Sequence, residues 1–181
     1  MILNLFFLVL LIVNFLFVLS PAVVEAKILP VGCSENALII AINQANSAGG
    51  ANTLDLAERC AYTIDRVNNV GELGDNGLPQ ITSDITVNGN NAIILRGDEA
   101  PEFRLFQVND GAALGLKEIT LRKGRVAIKG DGGAVYVLAG ALTLTGCTLE
   151  ENDAGCGGAV YNTSGTVTIT DTVFTGNIAD S

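Results

Sequence analysis

Residues 132–156 read GGAVYVLAGALTLTGCTLEENDAGC, and residues 157–181 read GGAVYNTSGTVTITDTVFTGNIADS. They are two gap-free copies of one 25-residue unit. Each opens on Gly-Gly-Ala-Val-Tyr (132–136, 157–161) and passes a Gly at the same place (Gly140, Gly165). An alternating stretch follows (141–145, 166–170), and each unit then carries an apolar residue (Leu149, Phe174) and an Asn (Asn152, Asn177). A repeat of this length is the mark of a stacked architecture. Period-two alternation inside the unit means strands. Each unit is therefore read as one lap of a β-solenoid, with Gly, Asn and Asp at its corners.

The pattern can be followed backward. Ile85, Leu114, Leu142 and Val167 form one expected column, with steps of 29, 28 and 25 residues. Val87, Leu116, Leu144 and Ile169 form a second. A third runs through Ile94 or Leu95, Leu121, Leu149 and Phe174. Strands of adjacent laps lie about 4.8 Å apart, so equivalent side chains stack into a continuous apolar interior. Outward positions such as Thr143, Thr145, Thr168 and Thr170 are polar strand formers. The extra length from Arg122 to Asp131 is placed in turns, where added residues cost little.

Ser34 to Asn46 is the one helical pattern, with Ser34 as N-cap. Ala37, Leu38, Ala41, Ile42 and Ala45 make its apolar face, and 47–50 (Ser-Ala-Gly-Gly) is expected to end it. This helix is suited to cover the open end of the first lap. Strands are expected around 53–56 and 62–64, and a long loop over 66–78.

The 181 residues carry a net charge of −9 and include no His. The acidic balance argues against a nucleic-acid partner. Lacking His, the chain offers no Ser-His-Asp or Cys-His pair. Ile2 to Leu19 are nearly all apolar, followed by Ser20-Pro21 and a Val24-Glu25-Ala26 cleavage pattern. The reading is a signal peptide over 1–26 cut before Lys27. The alternative is a retained anchor, and membrane contact is expected only through this segment if it stays uncleaved. An N-terminal cap over 27–66 and coils over 67–181 complete the organisation.

All four cysteines follow the signal, and an exported chain meets an oxidising compartment. Cys33 and Cys60 share the non-repeating segment and are the favoured disulfide pair. Cys147 is read as a buried thiol, with a Cys147–Cys156 bridge as the alternative.

The mature stretch resembles bacterial exported β-helix repeat proteins that begin with a CSLREA-type segment. The resemblance rests on Cys33-Ser34, 37–39 (Ala-Leu-Ile), Ala45-Asn46, 50–56 (Gly-Ala-Asn-Thr-Leu-Asp-Leu) and 60–64 (Cys-Ala-Tyr-Thr-Ile). It continues through 77–90 and 100–106. Glu35-Asn36 stands where that group carries a Leu-Arg-Glu run. The resemblance implies an all-β, right-handed, single-stranded parallel β-helix of the pectin-lyase-like type, in the cell envelope or secreted. It supplies no reaction and no catalytic residues.

Candidate sites are sparse. Glu150-Glu151-Asn152-Asp153 groups oxygen ligands of the kind Ca²⁺ takes. The next lap has 175–178 (Thr-Gly-Asn-Ile) there, so a solvated acidic corner is the reading, and no cofactor is expected. Asp131, between Gly130 and Gly132, is read as a turn. Arg96, Arg104, Arg122, Lys123 and Arg125, with Asp98, Asp110 and Asp131, lie among the coils, and no spacing ties them into one site. Only two laps carry the outward Thr pair, which argues against ice binding. Asn162-Thr163-Ser164 is a glycosylation sequon. The expected function is an exported, non-catalytic module for adhesion, structure, or binding of a polysaccharide or cell-surface protein. The alternative is a lyase or hydrolase acting on an acidic polysaccharide. The chain stops where the second unit finishes, so a longer array or end-to-end self-association is expected.

Overall fold

The computed structural model describes residues 26–71, 74–127 and 129–180. All of the expected signal segment except Ala26 lies outside them. The elements in chain order are β1 (Ile28–Val31), α1 (Glu35–Ala48), β2 (Ala51–Leu56), β3 (Ala61–Ile64), β4 (Asp84–Arg96), β5 (Phe106–Val108) and β6 (Ala113–Arg122). They continue with β7 (Val135–Val137), β8 (Ala141–Thr145), β9 (Thr148–Glu150), β10 (Asp153–Ala154), β11 (Val160–Asn162), β12 (Thr166–Thr170), β13 (Val173–Thr175) and β14 (Ile178–Ala179). The named strands all pair in parallel, as a β-solenoid requires. The main sheet runs β1-β2-β4-β6-β8-β12, and β5, β7 and β11 form another wall.

The register follows the apolar columns. Ile85, Leu114, Leu142 and Val167 are successive partners, as are Val87, Leu116, Leu144 and Ile169. In the third column Ile94, not Leu95, precedes Leu121, Leu149 and Phe174; Leu95 pairs with Arg122 on the outer face. Leu29 and Leu54 extend the second column back to β1, and Tyr62 extends the third. Leu54, Val87, Leu116, Leu144, Leu121 and Leu149 have no exposed surface. Each such burial contributes about 1.5–3 kcal/mol. Ile169 and Phe174 remain 49% and 43% exposed, because among the described residues no lap lies over them.

Helix α1 covers the other end of the tube with Leu38, Ala41, Ile42 and Ala45. The Ser34 side chain accepts from Ala37 N, as the cap pattern requires. The helix runs two residues beyond the expected Asn46, since Ser47 and Ala48 keep helical geometry and Gly49 (φ 64°) turns the chain out. Asn52 occupies an interior slot beside Ile85. Its Nδ2 donates to Ala45, Gly49 and Gly50 oxygens, closing the carbonyl end of the helix. Cys33 and Cys60 form a disulfide with Cα atoms 5.7 Å apart. Cys147 is a buried free thiol and Cys156 an exposed one, so the alternative bridge between them is not made.

Two stretches placed in loops are partly built into the walls. In the 66–78 stretch Asn69 pairs with Asn76, and Asn76 then pairs with Arg104 of the next lap. The Arg122–Asp131 stretch begins inside β6, and Arg125 bridges to Phe103 and Asp153. Val126 is 5% exposed. Asp131, read as a turn, instead bridges to Cys156 of the next lap. The repeated Gly-Gly starts also have a cause. Gly132 and Gly157 take φ of 68° and 59°, and a Cβ on either would run into the carbonyl oxygen of Val135 or Val160. No helix among the described residues is long and apolar enough to cross a membrane.

Candidate functional site

Past Arg122, Glu150 and Thr175, which are register partners, the chain bends at one shared corner. Lys123, Glu151 and Gly176 all sit there with φ between 55° and 63°. A sharp bend of this kind throws neighbouring side chains outward. It also brings together residues that are far apart in sequence.

The corner carries a ladder of opposite charges. Lys123 Nζ lies 2.7 Å from Asp98 Oδ1. Arg122 reaches Glu151 at 2.9 Å and Glu150 at 3.4 Å. Arg125 lies between Glu102 at 3.3 Å and Asp153 at 3.4 Å. Arg96 is fixed differently: it donates to the Lys123, Gly97 and Ala100 carbonyls. Between these groups runs an open groove of about 360 Å³, lined by Arg96, Asp98, Lys123, Arg125, Glu151 and Asp153. A second hollow of about 450 Å³ shares Arg125 and Asp153 and reaches Glu102 and Lys129.

The fold thus ties Arg96, Asp98, Arg122, Lys123 and Arg125, which sequence spacing left unconnected, to Glu150, Glu151 and Asp153 of the acidic turn. Three other candidates lie elsewhere. Arg104 is buried, with its guanidinium carbon 4.7 Å from the Tyr136 ring centroid. Asp131 pairs with Cys156 on another edge, and Asp110 is exposed in the turn before Gly111. The acidic turn is split: Asn152 points inside and has no exposed surface, while Glu150, Glu151 and Asp153 each face an arginine. Among the described residues no group of His, Cys, Asp or Glu is arranged to hold a metal ion. The sequon Asn162 is the exposed last residue of β11 and exchanges hydrogen bonds with Gly165.

The electrostatics follow from the pairing. The hydrogen bond from Lys123, aided by its charge, holds the Asp98 carboxyl below the ordinary aspartate range. The hydrogen bond to Glu151, aided by its charge, raises the Arg122 guanidinium. A general acid needs a carboxyl pushed up, and a basic catalyst needs a cation pushed down. The shifts of Asp98 and Arg122 run in the opposite directions. Fixed, neutralised pairs of planar donors and acceptors suit the binding of polar ligands.

Sequence reasoning missed a second polar cluster on the β5-β7-β11 wall. It comprises Gln80, Arg104, Gln107, Asn109 and Tyr136. The signal was the tyrosine in both repeat units: Tyr136 and Tyr161 stack at 5.8 Å with planes 9° apart. Compared with known proteins, the chain matches no family model, no curated protein and no solved structure. The fold defines a parallel β-solenoid, and its geometry carries the functional argument.

Proposed function

We propose that this is an exported, non-catalytic β-solenoid module that binds glycan or protein at a cell surface through its stacked outer faces. The observation that carries the reading is the corner ladder, where each carboxylate of the groove is opposed by a cation. Such a surface offers many hydrogen-bonding groups in fixed positions. The Cys33–Cys60 disulfide supports an oxidising compartment. The resemblance to CSLREA-type, pectin-lyase-like exported proteins points the same way.

The test is retention of the mature chain on a panel of insoluble polysaccharides and on whole cells, with absorbance of unsaturated uronate followed in the same tubes. Retention without new absorbance is the expected result. Appearance of unsaturated product from an acidic polysaccharide would instead establish the lyase alternative. N-terminal sequencing of the exported chain should begin at Lys27.

A further inference from the structure

The β5 and β7 part of the β5-β7-β11 wall differs from the main sheet in being covered. Gln107 and Tyr136 alternate with the inward residues Phe106, Val108, Val135 and Val137, so they face outward. They are nevertheless only 8% and 4% exposed. Part of the cover comes from the chain around Val70, Gly71 and Asn76. Gly71 lies so close that a Cβ there would be 2.5 Å from Gly74 O and 3.1 Å from Gln107 Oε1. These residues leave a pocket of about 300 Å³ at their edge, lined by Val70, Gly71, Gln80, Arg104, Gln107, Asn109, Tyr136 and Leu138.

The amides behind this pocket form a chain with a direction. Asn76 Nδ2 donates to Gln107 Oε1 at 3.1 Å, and Gln107 Nε2 donates to Asn109 Oδ1 at 2.8 Å. Asn109 Nδ2 donates to Gln80 Oε1 at 2.9 Å. The carbonyl oxygens of Gln107, Asn109 and Gln80 are all used. Gln80 Nε2, at the pocket end, donates to no described residue. At the other end Asn76 Oδ1 is buried and has no partner among the described residues. Buried structural networks are normally satisfied throughout, so the Asn76 end is unusual, whereas the half-buried Gln80 leaves its amide donors open to the pocket. The Tyr136 ring lies between the Arg104 guanidinium and the Tyr161 ring, and its hydroxyl accepts from Thr163 Oγ1 at 3.0 Å. One wall is thereby held rigid before any ligand arrives, which lowers the ordering cost of binding.

The shape and the donors select a ligand class. The volume lies at the small end for ligand pockets and suits a single six-membered ring. Planar amide N–H groups match the hydroxyl and ring oxygens of a sugar, while Leu138 can pack against its C–H face. An apolar ligand would bury the Gln80 donors unsatisfied, and a cation would meet donors instead of lone pairs. We propose that this pocket binds one pyranose residue of a glycan. The proposal rests on the glycan form of the function above but uses a site separate from the charged corner.

The experiment is titration of the full mature chain with glucose, galactose, mannose and N-acetylglucosamine, read by saturation-transfer NMR and calorimetry. Gln80→Glu keeps the acceptor for Asn109 and removes the donors. Leu138→Trp fills the pocket from its exposed rim. Both variants should keep the wild-type melting temperature within a few degrees. Gln80→Glu should weaken sugar binding about tenfold, and Leu138→Trp should abolish it. Arg122→Ala at the corner should leave it unchanged. Failure of all four sugars to bind, or equal binding by wild type and both folded variants, overturns the pocket. If polysaccharide is still retained in that case, the pocket alone has failed. If monosaccharides bind but no polysaccharide or cell retains the chain, the broader function has failed.

Discussion

Asn177 Oδ1 accepts two hydrogen bonds from Asn152 one lap earlier, from its backbone N–H at 3.0 Å and its Nδ2 at 2.9 Å. Asn152 repeats the arrangement downward: its Oδ1 accepts from Gly124 N, and its Nδ2 donates to Leu121 O. Asn177 Nδ2 reaches Leu149 O in the same way. The corner bend removes these backbone groups from the strand ladder, and the asparagine side chains replace the lost partners. The ladder stops at Gly124, where a Cβ would strike the Gly133 carbonyl oxygen.

Replacing Asn152 with Ala leaves the Gly124 N–H and the Leu121 carbonyl buried without partners. The expected loss is about 2–4 kcal/mol, read from the urea midpoint at unchanged m-value. Asn177→Ala should cost less, because Asn177 is half-buried where Asn152 is fully buried.

The stacking register gives a second contrast. Leu144 is fully buried, whereas its partner one lap on, Ile169, is 49% exposed. Leu144→Ala should destabilise by about 2–5 kcal/mol through lost transfer energy and a cavity. Ile169→Ala should cost well under half of that, since water already reaches the site. Comparable losses in urea unfolding would contradict the register.

These contrasts show where the sequence is readable. Leu114, Leu142 and Val167 could be aligned by eye because their alternate neighbours face water, so burial left its mark as period two. Ile94 and Leu95 are both apolar, and only register separates them. The β5, β7 and β11 strands are three residues long, and in β5 and β7 both faces are covered. Burial on both sides erases the alternation, so that wall left no periodic trace. Asn52 and Asn152 look like turn residues, yet their amides lie inside, where they close a helix end and a bend. The charged corner was illegible for a different reason. Asp98 and Lys123 are 25 positions apart, and nothing but the stacking of laps makes them neighbours.

The Cys33–Cys60 disulfide joins the residue before the α1 cap to the residue before β3, across a separation of 27. It ties the end cap to the first lap. Reduction should lower stability by about 2–4 kcal/mol, seen as a lower melting temperature in reductant. A Cys33→Ser, Cys60→Ser double variant should melt with the reduced wild type.

The Asp98–Lys123 pair sets a pH dependence whose sign is fixed. The folded-state pKa of Asp98 is held below its ordinary 3.8. Its contribution is therefore present above about pH 4 and is lost as pH falls through the depressed value. Carboxyl ¹³C titration should show a midpoint below the ordinary aspartate range. Lys123→Met should bring that midpoint back up, since it removes both the hydrogen bond and the charge.

The two free thiols should separate kinetically. Cys156 is exposed, while Cys147 is 2% exposed with its Sγ 3.3 Å from Leu116 O and 3.4 Å from Thr145 O. Burial pushes the Cys147 thiol up, and the thiolate is the reacting species. An aromatic disulfide reagent at pH 8 should therefore release one equivalent quickly, and Cys156→Ser should remove that phase. The second equivalent should appear only as fast as the lap carrying Cys147 opens, or at once in denaturant. Leu144→Ala loosens the same lap, so it should accelerate the slow phase and leave the fast one unchanged. An equally fast Cys147 would mean that the tube is not dry at this point.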